Sequence, residues 1–344
     1  VTIGFRMESI SVVEGSNPVS ICFRVLNEET LARNVAVNVS SSSNTAVIGV
    51  DYNLPSSVFI FNSSVNEHCV SFVPLEDDII ENTETVTVVL STSDPAVNFD
   101  ISRETVSITD NDRASIDFSQ AEFTIREDGS TLSYSVILTG NLDRSIVVSV
   151  NDIPGTATRD VDYSNVSETI TFTNSSKRFT GALRIINDSI VETTETLILA
   201  LSSSDPSVDL VNATVSIADV SNVSIGFTME SISVVEGSNP VSICVKVNEG
   251  ILARNVAVNV SSSSNTAVIG VDYSLPSSVF IFNSSVNEHC VSFVPLEDDI
   301  IENTETVAVL LSTSDPAVNF DISRETVSIT DNDSKIHFRV AFNI

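Results

Sequence analysis

Glu104-Thr105-Val106-Ser107-Ile108-Thr109-Asp110-Asn111-Asp112 is an alternating stretch that runs straight into acid. Val106 and Ile108 alternate with Thr105, Ser107 and Thr109, which is the period of a half-buried strand and not of a helix. The same run returns as Glu325–Asp333, and a weaker copy closes on Ala218-Asp219-Val220. A fresh strand-like run follows each copy. Working outward from these joints gives a period of about 111 residues, and therefore three units in 344 residues. Unit one spans 1–112, unit two 113–221 and unit three 222–333. The remaining stretch, 334–344, begins Lys335-Ile336-His337-Phe338 and matches Thr2-Ile3-Gly4-Phe5, so it is expected to be the first strand of a truncated fourth unit. The chain starts inside a strand at Val1, without Met, and is expected to be a segment of a longer protein.

Within a unit the alternation recurs. Val19, Ile21, Phe23 and Val25 alternate with Ser20, Cys22 and Arg24; Val35, Val37 and Val39 alternate with Ala36 and Asn38. Breakers such as Glu14-Gly15-Ser16-Asn17-Pro18 and Leu54-Pro55-Ser56 separate the runs. About seven short strands per unit predict an all-β fold of tandem immunoglobulin-like antiparallel β-sandwiches. Leu54–Val86 and Leu275–Val307 are identical, so units one and three look like a recent duplication. Features that the divergent unit two still shares are the more informative ones.

The net charge of −30 comes from 46 acidic and 16 basic residues. Nucleic acid is excluded as a partner, because phosphate binding needs clustered Lys and Arg. Scattered acids keep a long chain soluble, but this does not explain acids at the same joints in every unit. The cysteines are Cys22 and Cys69 in unit one and Cys244 and Cys290 in unit three; unit two has Ser135 and Thr180 at the matching places. Each pair is present or absent together, and strand parity turns both members outward on what should be neighbouring strands. Disulfides Cys22–Cys69 and Cys244–Cys290 are expected, with an oxidising compartment. Sequons at Asn38, Asn62, Asn165, Asn174, Asn187, Asn212, Asn222, Asn259 and Asn283 agree with a glycosylated, extracellular or cell-surface segment.

Four acidic stations recur in each unit. The first is a Glu before a Gly turn: Glu14, Glu127 and Glu236. The second is an Asp-Tyr pair: Asp51, Asp162 and Asp272. The third follows a hydrophobic strand, as Glu76-Asp77-Asp78-Ile79-Ile80-Glu81, Asn187-Asp188-Ser189-Ile190-Val191-Glu192 and Glu297-Asp298-Asp299-Ile300-Ile301-Glu302. The fourth is the closing Asp-Asn-Asp. Each station alone is ordinary turn chemistry. Four together, all at strand ends, can converge on a calcium ion, which takes six to eight oxygen ligands. Gathering them without a cation costs repulsion and leaves some protonated.

These motifs resemble the Calx-beta family, known from the regulatory loop of sodium/calcium exchangers and from extracellular adhesion and matrix proteins, including the aggregation-factor type of sponges. Val13-Glu14-Gly15, Asp51-Tyr52, Leu75-Glu76-Asp77-Asp78, Glu81-Asn82-Thr83-Glu84 and Ile108-Thr109-Asp110-Asn111-Asp112 carry the likeness. It implies calcium ligands Glu14, Asp51, Glu76, Asp77, Glu81, Asp110 and Asp112 in unit one, with Asp78 as an alternate. Unit three would contribute Glu236, Asp272, Glu297, Asp298, Glu302, Asp331 and Asp333. Unit two keeps Glu127, Asp162, Asp188, Glu192 and Asp219, but has Asn187 where unit one has Glu76 and Val220-Ser221 where unit one has Asn111-Asp112. Fewer ions or weaker binding are expected there.

Other chemistry finds no support. His68 and His289 each adjoin a cysteine in what reads as a polar turn, and no ligand set for zinc forms around them once the cysteines are bonded. Paired acids could serve a glycosidase, but here they recur once per unit, and aromatics are only 6% of the chain. No enzyme is expected. The expected function is a calcium-binding array in a membrane-attached or secreted adhesion protein, with calcium stiffening the joints between neighbouring repeats. The expected partners are calcium, those repeats and other adhesion molecules or glycans. A regulatory module of a transporter and a passive spacer are the alternatives.

Overall fold

The structure, a computed structural model, describes residues 1–26 and 31–333. The expected strand at 334–344 lies outside them. Among the described residues the elements are all strands.

Each unit is two facing sheets. In unit one the first sheet runs Asn98–Phe99, Thr2–Phe5, Val19–Val25, Glu67–Pro74, Tyr52–Asn53 in spatial order. The second runs Ser9–Val13, Arg103–Thr109, Glu84–Ser91, Val35–Ser43, Ser57–Phe61. Unit three repeats this arrangement, and unit two does so with four strands in its first sheet. The inner faces meet in one apolar core per unit. In unit one Phe5, Ile21, Phe23, Val37, Phe61, Phe72, Val88 and Val106 are all buried there. Alternation decides this, since successive side chains on a strand point to opposite faces. Two-residue pairings such as Tyr52–Asn53 add to the long strands that alternation predicts.

The expected disulfides form. Cys22 pairs in register with Cys69 and Cys244 with Cys290, and both pairs are bonded. In unit two the corresponding Ser135 and Thr180 face each other in the same register, with their hydroxyls 3.4 Å apart. His68 departs from expectation. It lies on the strand Glu67–Pro74 and not in a turn, with Nε2 2.9 Å from the Ile60 carbonyl and its ring edge-on to Phe61.

Two pairings cross between units. Ile79–Ile80 pairs in parallel with Asn141–Leu142 of unit two, and Ile190–Val191 pairs with Ile251–Leu252 of unit three. Ile80 is buried in the core of unit two, and Val191 in the core of unit three. Arg144 locks the first joint: its Nε donates to the Glu81 carbonyl at 3.0 Å while its guanidinium holds Asp205. Arg254 does the same with Glu192 (2.9 Å) and Asp315. The side chains of Arg144 and Arg254 are 18% and 23% exposed, whereas Arg33, the unit-one counterpart paired with Asp94, is 58% exposed. The covering therefore comes from the preceding unit. In unit three Ile300 and Ile301 stand exposed.

Removing the plug tests this coupling. Ile80→Ala is expected to destabilise unit two by about 2 kcal/mol, the lower end for deleting a buried Ile side chain, and to spare unit one's own core. Calorimetry of the whole chain should show the unit-two transition moving alone. An unmoved transition would mean that Ile80 contributes nothing to the joint.

Candidate metal centre

The four stations of unit one converge at one end of the sandwich, and the topology explains why. Ser9–Val13 and Arg103–Thr109 are parallel neighbours, with Val13 opposite Thr109. The chain therefore leaves both strands side by side, placing Glu14 beside Asp110. The Glu14 N–H donates to the Thr109 carbonyl at 3.1 Å. Tyr52 pairs with Pro74, which brings Asp51 to the start of the third station; the Leu75 N–H donates to the Asp51 carbonyl at 2.9 Å. Tyr52 is the anchor, fully buried and stacked on Phe72 with ring centroids 5.2 Å apart.

Backbone hydrogen bonds then hold the carboxylates. Asp110 accepts from the N–H of Asp112 (2.8 Å) and of Glu81 (3.1 Å). Asp77 accepts from Ile79 N–H at 2.8 Å. Asn111 Nδ2 donates to the Glu14 carbonyl and to Glu76 Oε2, at 3.1 and 3.2 Å. Asn111 is thus a donor within the cluster, where a third Asp would add repulsion. Gly15 is needed for two reasons: its φ is +61°, and a Cβ there would lie 1.7 Å from Glu76 Oε2.

Two carboxylate groupings result. Glu14, Asp77 and Asp112 bring oxygens within 4.8 Å of one another, and so do Asp51, Glu81 and Glu84. Glu14, Asp51, Asp77, Glu81, Glu84 and Asp110 line one small cavity. Asp78 and Glu76 are exposed and do not line it, although Glu76 Oε2 is held by Asn111. Glu84 was not among the expected ligands. Its signal was present as the Glu-x-x-Glu spacing Glu81/Glu84, Glu192/Glu195 and Glu302/Glu305, repeated in all three units.

The electrostatics are those of acids held against their preference. Burial pushes Glu14 up to about 7, and Asp112, Asp110 and Asp77 push the same way. Burial also takes Glu81 to about 7, reinforced by Asp77 and Asp51 and by Asp143 from unit two. Glu84 rises to about 7 through burial and its hydrogen bond with Asp51. Asp112 Oδ2 and Glu84 Oε2 are buried without a hydrogen-bond partner. A hard cation suits this donor set: oxygen only, multiply charged, with orphaned buried lone pairs.

Unit three repeats the hydrogen bonds and one of the two groupings. Asp331 accepts from Asp333 and Glu302, Asp298 N–H donates to Glu236 Oε1, and Asn332 Nδ2 bridges the Glu236 carbonyl and Glu297. Asp272, Glu302 and Glu305 cluster within 4.8 Å, and Asp333 Oδ2 and Glu305 Oε2 are orphaned. Unit two keeps half of it. Asp162, Glu192 and Glu195 still cluster, Asp188 N–H donates to Glu127 at 3.1 Å, and Asp219 accepts from Glu192 and Ser221. Ser221 stands where unit one has Asp112 and turns its hydroxyl to the Asp188 carbonyl, 3.3 Å away. Asn187 stands exposed where Glu76 stands in unit one.

Tandem β-sandwiches that each gather carboxylates at one end define the class. The Calx-beta domain family matches residues 1–112, 109–221 and 218–333. The chain belongs to that family, as three tandem copies. Among solved structures it is similar to CBD12 from CALX1.2 (16% identity, 62% of this chain and 99% of that one, TM-score 0.31). It is also similar to the apo form of the Calx CBD1 domain (20%, 32% and 99%, 0.30) and to mouse cadherin-23 EC22-24 (11%, 97% and 99%, 0.35). At such identities and scores these likenesses carry no functional argument. No curated protein matches the chain.

Proposed function

We propose that this chain is a calcium-binding, non-catalytic segment of an extracellular adhesion or matrix protein, in which calcium stiffens the joints between units. One observation carries the reading: the loop that lines the acidic cavity is also the loop that plugs the next unit. Asp77 and Glu81 face the cavity, while Ile79–Ile80 between them pairs with unit two and Ile80 enters its core. The coupling thus runs through the third station. The closing Asp-Asn-Asp, which leads directly into Ala114–Phe118 of unit two, also holds that loop through the Glu81 N–H on Asp110.

The residues in named roles follow from this. Glu14, Asp77, Asp110 and Asp112, with Glu76 at the margin, would hold ions at the first of the two groupings, and Asp51, Glu81 and Glu84 at the second. In unit three Glu236, Glu297, Asp298, Asp331 and Asp333 with Asp272, Glu302 and Glu305 would do the same. Unit two would bind through Asp162, Asp188, Glu192, Glu195 and Asp219, with Glu127, and would hold fewer ions. A bound divalent cation would offset the repulsion among these acids and fix the loop that carries the plug. The two disulfides favour an oxidising exterior over a cytosolic setting. Small-angle scattering with calcium and with chelator tests the mechanism. The maximum dimension should become better defined and longer with calcium; identical curves would sink the stiffening.

A further inference from the structure

The edge strands carry a difference between units that the acidic ends do not use. In unit one Ser57–Phe61 is the outermost strand of its sheet, and its outward Val58 and Ile60 are 61% and 42% exposed. Unit three repeats this with Val279 and Ile281, 61% and 40% exposed on Ser278–Phe282. An edge strand with apolar outward residues is a template for unwanted pairing with another chain. Unit two has Thr169 and Thr171 at these positions of its edge strand Ser167–Phe172.

The residue directly opposite Val58 on the neighbouring strand is Asn38, and opposite Val279 it is Asn259. Both are exposed, and each opens an Asn-Val-Ser acceptor sequence. Opposite Thr169 in unit two stands Ser149, which has no side-chain amide to carry an N-linked glycan. The apolar pair and the acceptor asparagine thus occur together and are lost together. Other acceptors are differently employed: Asn62 and Asn283 cap turns through their side-chain oxygens, and Asn212 accepts the Leu201 N–H. Directly opposed residues on antiparallel strands have Cβ atoms about 5 Å apart, and diagonal ones remain within reach of a long group. A sugar on Asn38 therefore lies over Val58, with Ile60 on the diagonal.

We propose that Asn38 and Asn259 are N-glycosylated, and that the N-acetylglucosamine stem of each glycan covers the apolar edge beside it. The donor is a lipid-diphosphate-linked oligosaccharide. Asn Nδ2 forms the new bond to C1 of the reducing-end sugar, the C1–O bond to diphosphate breaks, the lipid diphosphate leaves, and the amide proton passes to base. This rests on the exterior placement proposed above. Glycopeptide mapping of the whole chain secreted from a eukaryotic host should find both asparagines occupied. Asn38→Gln with Asn259→Gln should raise binding of an apolar dye several-fold and produce self-association in sedimentation. Adding Val58→Thr, Ile60→Thr, Val279→Thr and Ile281→Thr, the unit-two pattern, should reverse both. Unmodified Asn38 and Asn259 in the secreted chain, or an aglycosyl variant as monomeric and dye-silent as its parent, would overturn the proposal. Calcium-dependent melting of the same preparations reports separately on the calcium reading.

Discussion

Millimolar calcium is expected to raise the melting midpoints of units one and three by about 15 °C, and that of unit two by clearly less. A ligand present at a thousandfold over its dissociation constant stabilises the state it binds by about 4 kcal/mol. For domains of this size 1 kcal/mol moves the midpoint by roughly 4 °C. The apo state starts from a disadvantage, because Glu14, Glu81 and Glu84 are all pushed up to about 7 and two buried carboxylate oxygens lack partners. Magnesium should reproduce little of the shift, since it demands near-ideal octahedral geometry and dehydrates reluctantly. Asp77→Asn with Asp110→Asn should remove unit one's response while leaving unit three's. Midpoints that ignore calcium would leave the acids as a solvated face and the chain as a passive spacer.

Replacing two buried glutamates is expected to stabilise the protein. Glu104 and Glu325 have the strand parity of core residues and are fully buried, with no hydrogen-bond partner for Glu104 Oε1 or for either Glu325 oxygen. Burial alone pushes each up from 4.5 to about 7. A raised carboxyl pKa means that the folded state binds more protons than the unfolded state between these values. Stability is therefore full below pH 4.5, falls as pH rises toward 7, and is lowest above it. Each tenfold in protonation equilibrium is 1.36 kcal/mol, so each glutamate costs about 3 kcal/mol at pH 8. Glu104→Leu and Glu325→Leu should recover most of this at pH 8 and little at pH 4.5. Unit two already has Ala213 at this position, buried, so its pH dependence comes instead from buried Glu127 and half-buried Glu195, which burial pushes up to about 7. Denaturant unfolding at the two pH values measures it; a gain equal at both would assign the effect to packing instead of charge.

Glu104 also shows where sequence reading stopped short. Its place in the alternation Glu104, Val106, Ile108 was visible, but a charged residue at a core position is read as surface until the opposite sheet is seen to cover it. Glu84 was missed differently. Its spacing from Glu81 repeats in every unit, yet it begins the strand Glu84–Ser91 at the parity of buried Val86 and Val88, where a charged residue reads as the polar end of a core-facing row. Only the approach of Asp51 from the other sheet makes it part of a cavity.

The sequence by itself determined the repeat, the sandwich class, the disulfide pairing and the loss of acids at unit two's joint. All of these follow from local information: period-two alternation, fixed spacing, and the co-occurrence of cysteines or acids within a unit. The tertiary structure decided which acids face one another and how the units are joined. Glu14 meets Asp110 only because Ser9–Val13 and Arg103–Thr109 run parallel, a pairing between strands about ninety residues apart. The closing Asp-Asn-Asp marks the boundary along the chain. In space the boundary is also crossed by Ile80, because an isoleucine that its own unit leaves uncovered is stabilised most by entering the apolar core of the next unit.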